Sequence, residues 1–264
     1  MILHNFDPIL IDFGLIQIRW YSLAYIFGIL IGWWYGKIIL VRQVSQSQSV
    51  YLSKFDDLIG YIIIGIIVGG RLGYVFVYNP AFYFDNILEI FKIWKGGMSF
   101  HGGLIGVAFG TYIFSKKNNL YYKIYFDTIS AVAPIGIFLG RISNFINSEL
   151  YGSPTQKAWG VIFPNIDSLP RHPSQIYEAL LEGIFLFLIL NMLIFFRKNF
   201  HGFISIVFLV LYSFFRIICE QFREPDNHIG YIFNYFSMGS ILSIMMMLFG
   251  FFLLLKFMND EKNK

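Results

Sequence analysis

The sequence predicts an all-α fold: a polytopic transmembrane bundle of about seven spans, forming one integral-membrane domain over residues 1–264. Three observations lead there. Only 14% of the residues are charged and 56% are hydrophobic, with a mean hydropathy of +0.61, whereas soluble domains carry about 25% charged residues. Seven apolar segments are long enough to cross roughly 30 Å of hydrocarbon. The basic residues are dispersed through the linkers and form no patch, which speaks against a nucleic-acid partner and for a role in membrane topology.

The segments fall near 21–41, 57–78, 97–115, 127–146, 175–196, 202–222 and 237–257. The third is glycine-rich and the fourth is interrupted by Pro134, so these two are the least apolar. Ahead of the first, Met1–Pro8 has no basic stretch followed by an apolar core, and no cleavable signal peptide is expected. Pro173 stands where an early helical position would open the fifth segment. The linkers after segments one, three and five, with the C-terminal tail, carry ten basic residues against six on the opposite side. By the positive-inside rule the N-terminus is expected outside and the C-terminus in the cytoplasm. The lone cysteine, Cys219, lies in an apolar run and reads as a small buried hydrophobe.

This orientation has a chemical consequence. Tyr21, Arg71, His101, Arg141, Glu178, Glu182, Arg216 and Glu220 would all lie in the outer half of the bilayer. An intramembrane charge costs about 2.5–3.5 kcal/mol even on lenient insertion scales, so it marks a wet cavity, a partner or a ligand. Gly140–Gly152 concentrates such groups at the end of an apolar run. If it is helical throughout, Arg141, Asn144, Phe145 and Ser148 share one face, and Leu139, Ile142, Ile146 and Leu150 the other.

Arg216, Glu220 and Arg223 follow at i, i+4 and i+7 on one face of the sixth segment. Either Glu220 simply neutralises Arg216, or the arginines bind an anion. The second reading is favoured because Glu220 cannot neutralise Arg71, Arg141 and Arg216 together, and the planar guanidinium suits phosphate. Arg71, within Gly69–Gly73, has a structural alternative. His101 is flanked by four glycines in Gly96–Gly103, which allow close approach of backbone or ligand. It is either a satisfied core histidine or, as favoured here, a proton-transfer group. No other histidine stands at ligand spacing, so no metal is expected. Glu178 and Glu182 repel each other at i, i+4 unless arginines partner them, and are read as supporting residues.

Together these residues resemble the bacterial prolipoprotein diacylglyceryl transferases. The likeness rests on the Gly140–Gly152 stretch, Trp20-Tyr21, Gly69-Gly70-Arg71, Gly96–Gly106, Arg171–Glu178 and Phe215–Asp226, and it runs nearly the whole chain. Ser143 stands where the family usually has Gly or Ala, near the boundary of the two helix faces. The resemblance implies an enzyme of the bacterial inner membrane. It would transfer the diacylglyceryl group of phosphatidylglycerol to the lipobox cysteine thiol of a prolipoprotein signal peptide and release glycerol phosphate. It further implies catalytic His101, Arg141 and Arg216, and substrate contacts from Tyr21, Arg71, Asn144, Glu149, Gly152, Glu220 and Arg223, with no cofactor. The alternative is a transporter or channel for an anionic head group, against which stand the lack of an internal repeat and the one-sided clustering of polar residues.

Overall fold

Hydrocarbon offers no water to backbone N–H and C=O groups, so a membrane-length apolar run satisfies them within a helix. The computed structural model describes residues 2–14, 17–44, 49–196, 201–225, 230–232 and 235–263. Arg197, Lys198, Asp226, Lys264 and most of the polar Gln43–Ser49 loop lie outside the described residues.

The helices in chain order are α1 (Trp20–Gln43), α2 (Val50–Ser53), α3 (Phe55–Val77), α4 (Pro80–Asp85), α5 (Phe100–Lys117) and α6 (Tyr122–Ile146). There follow α7 (Ser174–Glu178), a π-helical stretch (Ala179–Phe185) and α8 (Leu186–Phe196), which form one continuous run, then α9 (Phe203–Glu220) and α10 (Met238–Lys262). Among the described residues, six helical stretches are long and apolar enough to cross a membrane: α1, α3, α6, the run Ser174–Phe196, α9 and α10. The third expected span is the helix α5, 18 residues long, but its glycines together with His101, Lys116 and Lys117 keep its hydropathy below that of the others. Short strands, which the sequence reading did not anticipate, form outside the long helices. β1 (Ile2–Leu3) pairs in parallel with β4 (Val161–Ile162), which pairs antiparallel with β5 (Pro170–Arg171). β2 (Ile9–Asp12) and β3 (Gln17–Arg19) make an antiparallel hairpin.

The chain divides into two compact units, one of Met1–Gly36 with Ile129–Lys264 and the other of Lys37–Thr128. The second unit is built on the α3–α5 pair, and glycines at four-residue spacing explain that pairing. Gly65, Gly69 and Gly73 of α3 meet Gly102 and Gly106 of α5, and a Cβ on Gly73 would stand 2.7 Å from the Cα of Gly102. Small residues repeated every fourth position let membrane helices approach backbone to backbone. The glycines of the third segment are therefore a packing seam. Ser99 caps α5, its hydroxyl accepting the Gly102 N–H at 3.2 Å.

In the first unit α9 packs on α10, and Gly28 of α1 closes on Gly136 of α6. Pro134 interrupts the α6 hydrogen-bond ladder. One turn earlier Asn191 of α8 donates to the carbonyl of Ala131 at 3.2 Å, while the Tyr35 hydroxyl donates to Asn191 at 3.0 Å. Cys219 is fully buried in α9.

Candidate active site

Four elements of the first unit bring one charged cluster together. The last turns of α6 present Arg141 and Asn144, α7 and the π-helical stretch present Glu178 and Glu182, and the end of α9 presents Arg216, Glu220 and, just beyond, Arg223. π-Helical turns are rare and are frequently found at functional sites.

The contacts form a closed ring. Arg141 Nε meets Glu178 Oε2 at 3.0 Å and its Nη2 meets Glu182 Oε2 at 3.1 Å. From the other side, Arg216 Nη1 meets Glu178 Oε1 at 2.7 Å and Glu182 Oε1 at 3.4 Å. Arg216 Nη2 also pairs with Glu220, whose other oxygen accepts the Ser237 hydroxyl at 2.6 Å. Arg223 Nη1 stands 3.6 Å from Glu178. Three guanidinium groups thus face three carboxylates. The surplus positive charge inferred from sequence does not exist in this cluster, because Glu178 and Glu182 balance what Glu220 alone cannot. What remains for a ligand is geometry. Arg141 Nη1 makes no hydrogen bond among the described residues, and the side chain keeps 12% of its surface exposed while Glu178 and Glu182 keep none.

Arg71 is different in kind. It belongs to the second unit, and all five of its N–H groups end on backbone carbonyls: Nε on Ile90, Nη1 on Gly96 and Gly97, and Nη2 on Glu89 and Lys92, at 2.5 to 3.4 Å. Its guanidinium also lies 5.0 Å over the Tyr83 ring. The group organises the loop between α4 and α5 and has no donor left for phosphate. His101 belongs to the second unit too, half-buried in the first turn of α5 with its ring edge-on to Phe100 at 5.7 Å.

The helical projection of Gly140–Gly152 holds only as far as Ile146, where α6 ends. Ser148 and Leu150 turn to positive φ (56° and 55°), so neither continues the two faces drawn from the sequence. The reason is local hydrogen bonding: Ser148 N–H donates to Phe145 O at 3.0 Å and Glu149 N–H to Asn144 O at 2.9 Å, folding the chain back on its own helix end. His4 locks this turn, its Nε2 bonding Phe145 O at 2.8 Å and its Nδ1 the Ser148 hydroxyl at 3.2 Å. Burial holds the His4 imidazole below its ordinary pKa, although the bond to Phe145 O acts the other way. Gln175 and Ser174 fix the turn from the opposite side through the carbonyls of Glu149 (2.7 Å) and Leu150 (3.0 Å).

The turn sets the remaining polar groups. Glu149 accepts from Asn144 at 3.3 Å and Asn147 at 3.5 Å, and the Tyr21 hydroxyl lies 3.5 Å from that of Tyr25. Gly152 is wedged between backbone strands, where a Cβ would meet the Phe222 carbonyl at 2.6 Å, and it bridges to Arg223. Arg171 secures that junction, donating to Gly152 O and to Glu224, each at 3.1 Å, and lying 4.8 Å over the Tyr151 ring. Its bidentate pair with Asp167 holds that carboxyl below its ordinary pKa. Ser143 is buried, and its hydroxyl donates to Trp20 O at 3.4 Å, so the position accepts the extra atom.

Sequence reasoning did not single out His4 or Gln175. His4 meets its partners across more than 140 residues of chain, and no local pattern signals that contact.

Known proteins supply the chemistry that geometry leaves open. Residues 8–256 match the family model described as prolipoprotein diacylglyceryl transferase. A curated relative from Rickettsia typhi, named phosphatidylglycerol--prolipoprotein diacylglyceryl transferase, is 49% identical over 96% of this chain and 98% of its own. Relatives of the same name from Rickettsia bellii and Rickettsia felis are 50% and 48% identical, covering 96% and 95% of this chain and 95% and 96% of theirs.

Proposed function

This chain belongs to the prolipoprotein diacylglyceryl transferase family, and from that premise we propose that its arginine–glutamate cluster holds the phosphate of the donor lipid during transfer. The chain is a multi-pass membrane transferase. Its donor is phosphatidylglycerol and its acceptor a prolipoprotein, as the names of its relatives state for them. The transport alternative gives way to this reading.

The reaction follows from those two substrates. The lipobox cysteine sulfur attacks the glyceryl carbon bonded to the phosphate oxygen. A C–S bond forms, the C–O bond breaks, and glycerol phosphate leaves with the electron pair. The nucleophile comes with the substrate, so buried Cys219 takes no part. Negative charge grows on the departing phosphate oxygen, and a guanidinium already fixed in place stabilises it without reorganising. Arg141 and Arg216 fill that role. The Nη1 edge of Arg141 carries the assignment, because it is a charged donor that makes no hydrogen bond among the described residues, on a side chain that keeps 12% of its surface exposed.

Asn144, Glu149 and Tyr21 orient the glycerol head group, Glu220 and Arg223 hold Arg216 and the cluster in register, and Gly152 lets the chain pass close to Arg223. Arg71 serves the fold of its own loop. His101 accepts the thiol proton: a cysteine with a pKa near 8.5 is only a few per cent ionised at pH 7, and imidazole is the side chain suited to help it. The enzyme sits in the bacterial inner membrane with its N-terminus outside and its C-terminus in the cytoplasm. A reporter fused to the C-terminus should be active only as a cytoplasmic fusion.

The deciding experiment uses the purified protein in phosphatidylglycerol vesicles with a lipobox peptide, following peptide mass and glycerol phosphate release together. Both products should appear in equal amounts, and Arg141→Gln and Arg216→Gln should each lower the rate about 10²–10³-fold. Near-normal turnover in both variants, well folded, would remove the cluster from the reaction.

A further inference from the structure

We infer that Glu178 and Glu182 are counter-charges that hold the anion affinity of the arginine cluster low enough for the phosphorylated product to leave. This rests on the reading that Arg141 and Arg216 hold the lipid phosphate.

Three observations carry it. Glu178 touches all three arginines, at 3.0 Å (Arg141), 2.7 Å (Arg216) and 3.6 Å (Arg223), and Glu182 bridges two of them. Neither carboxylate has any exposed side-chain surface, whereas Arg141, Arg216 and Arg223 keep 12%, 7% and 11%. The carboxylates therefore lie behind the guanidinium groups, where they set charge and position without meeting substrate. With Glu220 they also bring the formal charge of the cluster to zero.

That balance matters because the reaction changes the charge of its anion. The donor phosphodiester carries one negative charge, while the released phosphomonoester carries about −1.5 to −2 at pH 7. A cluster with net positive charge in a low-dielectric setting would hold the product more tightly than the substrate, and Coulomb interaction over a few ångströms is ample for a tenfold difference. A neutral cluster recognises phosphate by the placement of its donors and lets the more highly charged product go. Glu178 and Glu182 are positioning residues in this sense.

The test is inhibition by added glycerol phosphate, measured at varied phosphatidylglycerol in vesicles, alongside the ratio of first-turnover to steady-state rate. Removing one charge in Glu178→Gln or Glu182→Gln should lower the inhibition constant tenfold or more. Steady-state turnover should then fall below the first turnover. Glu178→Asp keeps the charge while shortening the side chain, so its inhibition constant should stay within about twofold of wild type even if its rate drops. Should Glu178→Gln not fold, Glu182→Gln, which leaves Glu178 on all three arginines, decides alone. An unchanged or raised inhibition constant in a folded Gln variant overturns the inference, as does an Asp variant that binds product as tightly as Gln. If instead glycerol phosphate fails to compete with phosphatidylglycerol in the wild type, it is the phosphate-site reading that fails.

Discussion

Replacing Arg141 by Lys separates charge from geometry more sharply than removing it. In the native cluster Arg141 uses Nε on Glu178 at 3.0 Å and Nη2 on Glu182 at 3.1 Å, which aims Nη1 away from both carboxylates. A lysine ammonium gathers three donors on one atom, so it cannot span the two carboxylates and still present a fixed donor to a ligand. A hydrogen bond to a charged group contributes about 1.5–3 kcal/mol. Losing the ligand-facing bond while keeping the charge should therefore slow transfer about 10- to 10²-fold, short of the 10²–10³ expected for Arg141→Gln. Thermal stability should order the variants in the same way, because Gln leaves two buried carboxylates short of a partner, a defect that typically costs about 3–5 kcal/mol. The assay is initial transfer rate at saturating lipid, with thermal unfolding in detergent on the same preparations. If Lys matches wild type in rate, charge alone suffices and the guanidinium-edge argument is wrong. If Lys and Gln are equally slow and equally unstable, Arg141 is a structural residue.

Three further outcomes are expected. Arg71→Gln should lower expression and melting temperature while leaving the Michaelis constant for phosphatidylglycerol nearly unchanged in whatever folded protein is recovered, since its donors all end on loop carbonyls; a selective rise in that constant would return Arg71 to the binding site. His101→Asn should lose about 10²–10⁴ in rate near neutral pH, and the deficit should shrink as pH approaches the thiol value of about 8.5; a flat ratio to wild type from pH 6.5 to 9 would rule out proton transfer by His101. Because His4 is held below its ordinary pKa, the folded state binds its proton less readily than the unfolded chain. Its contribution to stability is then complete above about pH 6.5 and falls as acid drives the pH toward the folded value; wild type should lose melting temperature between pH 7.5 and 5 more steeply than His4→Gln, and parallel curves would contradict this.

Much of the architecture is legible in the sequence because the membrane reduces folding to a length and a hydropathy. The expected spans 21–41, 57–78 and 127–146 return as Trp20–Gln43, Phe55–Val77 and Tyr122–Ile146. The third segment looks weak because glycines, His101, Lys116 and Lys117 dilute its apolar residues, and two of those glycines, Gly102 and Gly106, are packing positions against α3. The repulsion between Glu178 and Glu182 signals, from sequence alone, that they need a partner, which the arginines could supply; Arg141 and Arg216 both contact the pair. The charge balance is misread because Arg71 looks like one more buried cation, and only the loop that wraps it shows where its donors go. Periodicity likewise carries past Ile146 on the page, whereas the chain reverses there under hydrogen bonds from Ser148, Glu149 and a distant His4. Short-range pattern finds helices and like-charge conflicts, but it does not find caps supplied from the far end of the chain.

The most direct measurement is a structure of the protein with bound phosphatidylglycerol. A phosphate oxygen should lie at charge-assisted hydrogen-bond distance, about 2.7–2.9 Å, from Arg141 Nη1, with Glu178 and Glu182 still seated behind the guanidinium groups. A phosphate lodged elsewhere, with the arginine–glutamate ring closed and untouched, would contradict the account.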